Sequence, residues 1–289
     1  MTPVGSAPPL WVVGDVHGVP GKLRALLRGA GLIGEDAGWA GGAAHLVFLG
    51  DYLDRGPDGA EVVRLVRALE AQAPRAGGRV TALLGNHEVM LLGARRFGSR
   101  RRDPSGLREY WLENGGQPAD LERLDDADLA WLAARPALAR AGRWLLVHAD
   151  SPLYLELGES VEAVNAAVRR RLGGDDPQAW AQLAGAFAAR FAFAEPGGEA
   201  LVTAMLSTFG GQRLAHGHTP VALLGGGWSS AGPGEPLTYR GGRCVALDSA
   251  MSSREDAGFM ARLGPRGVEA VVALGQAAGP GLRALHFGA

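Results

Sequence analysis

Short apolar runs alternate with helical patterning along the first third of the chain. Residues 10–14 (LWVVG), 45–50 (HLVFLG) and 79–85 (RVTALLG) are apolar and β-rich, and each reads as a strand. Between them, residues 19–30 carry Pro20 near a first helical turn, and 58–72 (DGAEVVRLVRALEAQ) places apolar residues at helical spacing behind Asp58, a suitable cap. A further helix opens at HEVMLLGARR, directly after the third strand. This βαβαβα order predicts a mainly parallel, buried sheet, and an α/β fold.

From about 107 to 135 the pattern turns helical (LREYWLEN, then DADLAWLAAR with Asp125 or Asp126 as cap). A strand returns at 143–148 (RWLLVH), and 160–209 reads as two or three helices, one opening at Ser160. RLAHGH, RCVALDS, GFMARLG and GVEAVVAL then read as strands, with a surface loop at 225–236. With no repeat and no linker, residues 1–289 are expected to form one domain with helical insertions at about 95–142 and 152–210.

Composition narrows the partners. Acids number 30 and bases 29, so no basic field draws nucleic acid, and Lys22 is the only lysine among the bases. Cys244 is the only cysteine, which excludes an internal disulfide and a cysteine-built zinc site. No apolar run approaches the roughly 18 residues of a membrane span, and the start lacks the pattern of a signal peptide. A cytoplasmic protein with no membrane or nucleic-acid partner is expected.

The unusual polar residues fall just after the strands: Asp15 and His17 in GDVHG; Asp51, Asp54 and Arg55 in GDYLDRG; Asn86 and His87 in GNHE; His148 and Asp150 in VHAD; His216 and His218 in HGHTP. In an open α/β sheet, the carboxyl ends of parallel strands share one edge, so these residues would converge. Oxygen and imidazole ligands without thiolates suit manganese, iron or zinc better than calcium or magnesium. A mid-set aspartate such as Asp51 could bridge a metal pair of the kind that serves phosphoryl transfer, and Arg55 offers a planar fork for phosphate oxygens.

In order and spacing, GDVHG, GDYLDRG, GNHE, VHAD and GHTP resemble the motifs of the calcineurin-like metallophosphoesterases, and within them those of the bacterial members of the phosphoprotein phosphatase branch. The resemblance runs from residue 14 to 220. It implies a β-sandwich of two mixed sheets flanked by helices, and two divalent metal ions, manganese first, with iron or zinc as alternatives. Asp15 and His17 resemble ligands of the first metal, Asp51 the bridging carboxylate, and Asn86, His148 and His218 ligands of the second. His87 corresponds to the acid that protonates the leaving oxygen, Asp54 to the aspartate that orients it, and Arg55 to the phosphate clamp, with Asn86 also near phosphate. The implied reaction is hydrolysis of a phosphate monoester by direct attack of a metal-bound hydroxide. The phosphorylated substrate would be a phosphoprotein or small phosphoester; the alternative is a dinucleoside tetraphosphate.

Three departures stand out. Ala149 and Asp150 occupy positions that are commonly Gly-Gly in that branch. Pro220 stands where other relatives bring a further histidine to the first metal, and His216 falls outside the ligand set. A second phosphate-binding arginine is expected at Arg190 or Arg213. Asp248 either caps a turn or reaches the site. The arginine-rich run 95–102 is a solvated loop or a platform for an acidic substrate. His45 and His286 carry no functional expectation, and Tyr110, Trp111 and Trp131 are expected in the core of the insertion.

Overall fold

Neighbouring residues of the first strand, β1 (Leu10–Val13), point into two different cores. Leu10 and Val12 pack with Leu146, Ala215, Val245 and Phe259, while Trp11 and Val13 join a core that includes Leu23, Leu27, Val62 and Val66 of the flanking helices. Burial on both faces explains why the run is apolar without a break. The computed structural model describes residues 7–98, 106–224, 234–275 and 281–283.

The remaining strands are β2 (His45–Phe48), β3 (Arg79–Ala82), β4 (Leu138–Ala141), β5 (Trp144–Val147), β6 (Arg213–Pro220), β7 (Leu237–Tyr239), β8 (Cys244–Asp248), β9 (Phe259–Gly264), β10 (Gly267–Ala273) and β11 (Gly281–Arg283). They form two mixed sheets, ordered β11-β10-β9-β1-β2-β3 and β4-β5-β6-β8-β7. The expected parallel pairing holds for β1, β2 and β3, but β1 also pairs antiparallel with β9. In the second sheet β5, β6 and β8 run parallel, with β4 and β7 antiparallel at its edges. One inter-sheet tie is the Trp144 indole, which donates to the Gly264 carbonyl at 2.9 Å. The polar clusters therefore come from the strand ends of two sheets, not from one shared edge.

Helix starts follow the expected capping. Asp58 caps Gly59–Gln72 and Ser160 caps Val161–Gly173, and of the two candidates it is Asp125 that caps Asp126–Ala133. The short edge strands β4, β7 and β11 and the short helices Pro118–Arg123, Leu153–Leu157 and Val221–Leu224 escape the sequence pattern, being too brief to show a period. Cys244, on the interior strand β8, is fully buried, and β8 lies between β6 and β7. No helix among the described residues is long and apolar enough to cross a membrane.

Candidate functional site

Tight loops after β1 and β2 build the first half of the site. Gly50 has φ 109°, and a Cβ there would sit 2.7 Å from the Gly85 nitrogen, so only glycine lets the second and third loops touch. Asp51, Asp54 and Arg55 then take left-handed φ of 53°, 69° and 62°, and His17 takes 47°. Such angles are costly for residues with side chains, about 1–3 kcal/mol each, and persist where the surroundings hold them. Here the Asp51 carbonyl accepts from Val16 and His17 N–H at 3.0 and 2.9 Å. The buried Glu88 carboxylate accepts the N–H groups of Asp51 (2.9 Å), Tyr52 (2.9 Å) and Gly85 (2.8 Å). Within GNHE, Glu88 thus locks the loop that carries Asp51 to the helix Asn86–Phe97.

The second half comes from β5 and β6. His148 follows β5 directly. On β6, the register against β8 jumps between His216 and Pro220, so four steps of β6 span two of β8. This bulge puts His218 at φ 61° and turns it away from the face that His216 occupies. His216 instead contacts the Tyr239 hydroxyl at 2.8 Å and packs edge-on to Phe193.

The two halves meet through their ligand atoms. Nδ1–H of His17 donates to the Leu53 carbonyl and that of His148 to the Leu49 carbonyl, both at 2.9 Å. Each Nε2 is therefore a lone pair directed inward. His17 Nε2 lies 3.8 Å from Asp15 Oδ2 and 3.6 Å from Asp51 Oδ2. His148 Nε2 lies 3.0 Å from Asn86 Oδ1 and 3.5 Å from Asp51 Oδ1, three acceptors facing one another. Asp15 Oδ2, Asp51 Oδ2 and both ring nitrogens of His218 are buried without a hydrogen-bond partner. Two sets, His17–Asp51–His87 and Asp51–His148–His218, each bring their ligand atoms within 4.8 Å of one another, and Asp51 belongs to both. Converging unprotonated donors of this kind fit a pair of cations sharing one carboxylate.

The electrostatics agree. Burial raises Asp15 well above the usual carboxylate range, with Asp51 adding to the rise, and pushes Asp51 up to about 7. Burial lowers His17, His87 and His218 well below the ordinary imidazole value and takes His148 to about 3. The site thus holds neutral imidazoles beside carboxylates that positive charge would keep ionised.

Beside these ligands lies a second constellation. Asp54 Oδ2 accepts Nδ1–H of His87 at 2.7 Å, and Arg55 donates from Nη1 to His17 Nε2 (2.8 Å) and from Nη2 to His87 Nε2 (3.2 Å). Arg190 donates to the His218 carbonyl, whereas Arg213 is spent on the carbonyls of Gly242 and Pro265. Of the two candidate arginines, only Arg190 is brought to the site. Asp248 accepts the Ala250 N–H at 2.8 Å, which is the turn-capping role, and its charge also adds to the rise of Asp51, behind burial. Asp150 accepts from the Thr219 hydroxyl at 2.5 Å, joining the residues that follow His148 and His218. His45 pairs with Thr81. Tyr110, expected in the core, is 36% exposed, because its helix buries Leu107 and Trp111 instead. Trp111 donates to Asp54, a link that no local sequence signal announces. Of the arginine-rich run, residues 99–102 lie outside the described residues, as does His286.

Residues 8–222 match the family model of the calcineurin-like phosphoesterases. Shewanella-like protein phosphatase 2 of Arabidopsis thaliana is 36% identical over 104 residues, covering 36% of this chain and 26% of the relative. A symmetrical bis(5'-nucleosyl)-tetraphosphatase of Methylococcus capsulatus is 33% identical over 189 residues, covering 61% of this chain and 59% of the relative. The chain thus spans less than two thirds of either relative. In fold it is similar to the cold-active protein-tyrosine phosphatase of a psychrophilic Shewanella species, with a TM-score of 0.66 at 23% identity over 92% of this chain and 77% of that one. The family match runs through every polar cluster from Asp15 to His218, and it makes this chain a member of the calcineurin-like phosphoesterases, a family of hydrolases.

Proposed function

We propose that this chain hydrolyses phosphate monoesters as a protein-phosphatase-like enzyme, with two divalent metal ions, manganese in our reading, held by Asp15, His17, Asp51, Asn86, His148 and His218. Bound there, the ions would supply positive charge to the phosphoryl oxygens and acidify a water. The observation that carries the reading is the chain Arg55–His87–Asp54 set against those ligands. Arg55 can only donate, and Asp54, though burial pushes it up to about 7, meets three N–H donors (His87, Trp111 and Gln117) that suit a carboxylate, so His87 keeps its Nδ1 proton on Asp54 and turns Nε2 towards the cleft. As the ester P–O bond breaks and a water oxygen bonds to phosphorus, that water releases one proton. His87, protonated once the phosphate charge offsets the burial that otherwise keeps it neutral, gives its Nε2 proton to the leaving oxygen and is restored by the proton released, while Asp54 steadies the imidazolium before transfer. Before that step, on phosphate binding, Arg55 shifts its fork from the imidazoles to the phosphate oxygens and frees His87 Nε2, with Arg190 as the second clamp and Asn86 alongside. The lone buried cysteine is compatible with a reducing cytoplasm.

The guanidinium charges that reach the buried ligands are those of Arg55 and Arg190, a pair matched to a single phosphoryl group. A second reading, hydrolysis of a dinucleoside tetraphosphate, draws on the tetraphosphatase relatives, which align with more of the chain than the phosphatase relative does. A panel of phosphoserine, phosphothreonine and phosphotyrosine peptides against diadenosine tetraphosphate, with added manganese, separates the two. Preference for a monoester supports the first reading, and preference for the anhydride overturns it. His87→Asn is expected to lower kcat about 10²–10⁴-fold on a poor leaving group. Unchanged turnover would remove His87 from the reaction.

A further inference from the structure

We propose that Trp111 is a positioning residue for proton transfer, acting through Asp54 on His87; this rests on the reading of His87 as the leaving-group acid. Trp111 lies on the helix Leu107–Glu113, far from Asp54 in sequence, and is fully buried. Its indole N–H donates at 2.8 Å to Asp54 Oδ2, the same oxygen that accepts from His87 at 2.7 Å. The Gln117 N–H takes the other oxygen at 3.2 Å. An indole nitrogen can only donate. Both directed lone pairs of Oδ2 are then occupied, and the carboxylate cannot turn about its terminal torsion without breaking a buried hydrogen bond. The His87 ring inherits that fixed orientation.

The backbone repeats the pattern. The Asp54 N–H donates to Asp120 Oδ2 at 3.1 Å, and the Arg55 N–H to the Gly115 carbonyl at 2.9 Å. Asp120 Oδ1 also accepts from Gly59 at 2.8 Å and Ala60 at 3.2 Å, anchoring the first turn of the helix behind. Gly116 lies flat against the indole: a Cβ there would come within 2.5 Å of two ring atoms, so the ring has one seat. Segment 111–120 therefore grips both left-handed residues, Asp54 and Arg55, from outside the metal ligands. Simple core packing would require the ring of Trp111 but not its N–H.

Trp111→Phe keeps the aromatic bulk and removes the donor. In the manganese-loaded protein, phenyl phosphate (poor leaving group) and 4-nitrophenyl phosphate (good leaving group) are compared. The expected result is a kcat about 10-fold lower on phenyl phosphate, a part of the general-acid factor of roughly 10²–10⁴, with KM unchanged and little loss on the nitrophenyl ester. In an Asp54→Asn background the same substitution should have no further effect. The zinc-loaded protein should show a solvent-protected, downfield His87 Nδ1 proton that Trp111→Phe loses. Should that variant fold poorly, benzothienylalanine at position 111, an isostere without the N–H, replaces it. An equal loss on both esters, or a change in KM alone, while His87→Asn retains its leaving-group dependence, overturns the proposal. If His87→Asn itself shows no such dependence, the assignment of the acid fails instead.

Discussion

The two halves of the site are held by different chemistry. On the first-sheet side, four left-handed residues (His17, Asp51, Asp54 and Arg55) turn successive backbone N–H groups into concavities, and buried carboxylates fill them: Glu88 under Asp51 and Tyr52, Asp120 under Asp54. Oriented N–H groups of this sort act as small fixed positive charges, which is why anions settle there. On the second-sheet side only His218 is left-handed among the candidate ligands, and much of the holding falls to neutral groups, with Arg190 on the His218 carbonyl as a charged exception. The Leu49 carbonyl takes the His148 proton, the Tyr154 hydroxyl accepts the Ala149 N–H at 3.1 Å, and the Thr219 hydroxyl reaches Asp150. Asp15 spans the divide, since its Oδ1 accepts the His218 N–H at 2.9 Å. The strained half is built on buried carboxyl groups, and the relaxed half mainly on carbonyls and hydroxyls.

The largest effect should come from the group shared by both halves. Asp51→Asn removes the common carboxylate charge, and we expect turnover to fall below detection and metal analysis to show loss from both positions. Next, Glu88→Gln replaces one of the two acceptor oxygens that receive three N–H groups with an NH₂ donor, and with buried N–H groups left unpaired it should destabilise the fold by about 3 kcal/mol, read from chemical denaturation. A change under a few tenths would mean that the strained loop holds itself. The smallest effect belongs to the second half. Thr219→Val leaves the Asp150 oxygens without their hydroxyl donor, and metal titration should show about 10-fold weaker binding with a stability loss of about 1 kcal/mol. If Thr219→Val proved as damaging as Glu88→Gln, the contrast between the halves would collapse.

Legibility in the sequence divides along the same line. The strands β1, β2 and β3 and the residues behind them are readable because apolar runs end abruptly in polar clusters with glycine. His148 and His218 are single histidines after a strand, readable only once the resemblance orders them. What pattern cannot supply is pairing between sheets. The antiparallel β9 beside β1 and the division of the clusters between two sheets follow from registers set over long separations. Asp120 and Trp111 were equally silent, since their partners are a backbone N–H and a carboxylate on a distant loop. Arg190 and Arg213 look alike in sequence; only the seat of Arg213 on the Gly242 and Pro265 carbonyls tells them apart.

Cys244 gives the relaxed half its own clock. The thiol lies fully buried on β8, next to the bulged strand that carries His218, and burial pushes its pKa up to about 12. A thiol reagent can therefore reach it only when that sheet opens, and with no second cysteine in the chain the labelling rate has a single source. Timed alkylation in the presence and absence of metal would report how far ligand binding at His148 and His218 suppresses local unfolding of the second sheet, without any label being engineered in.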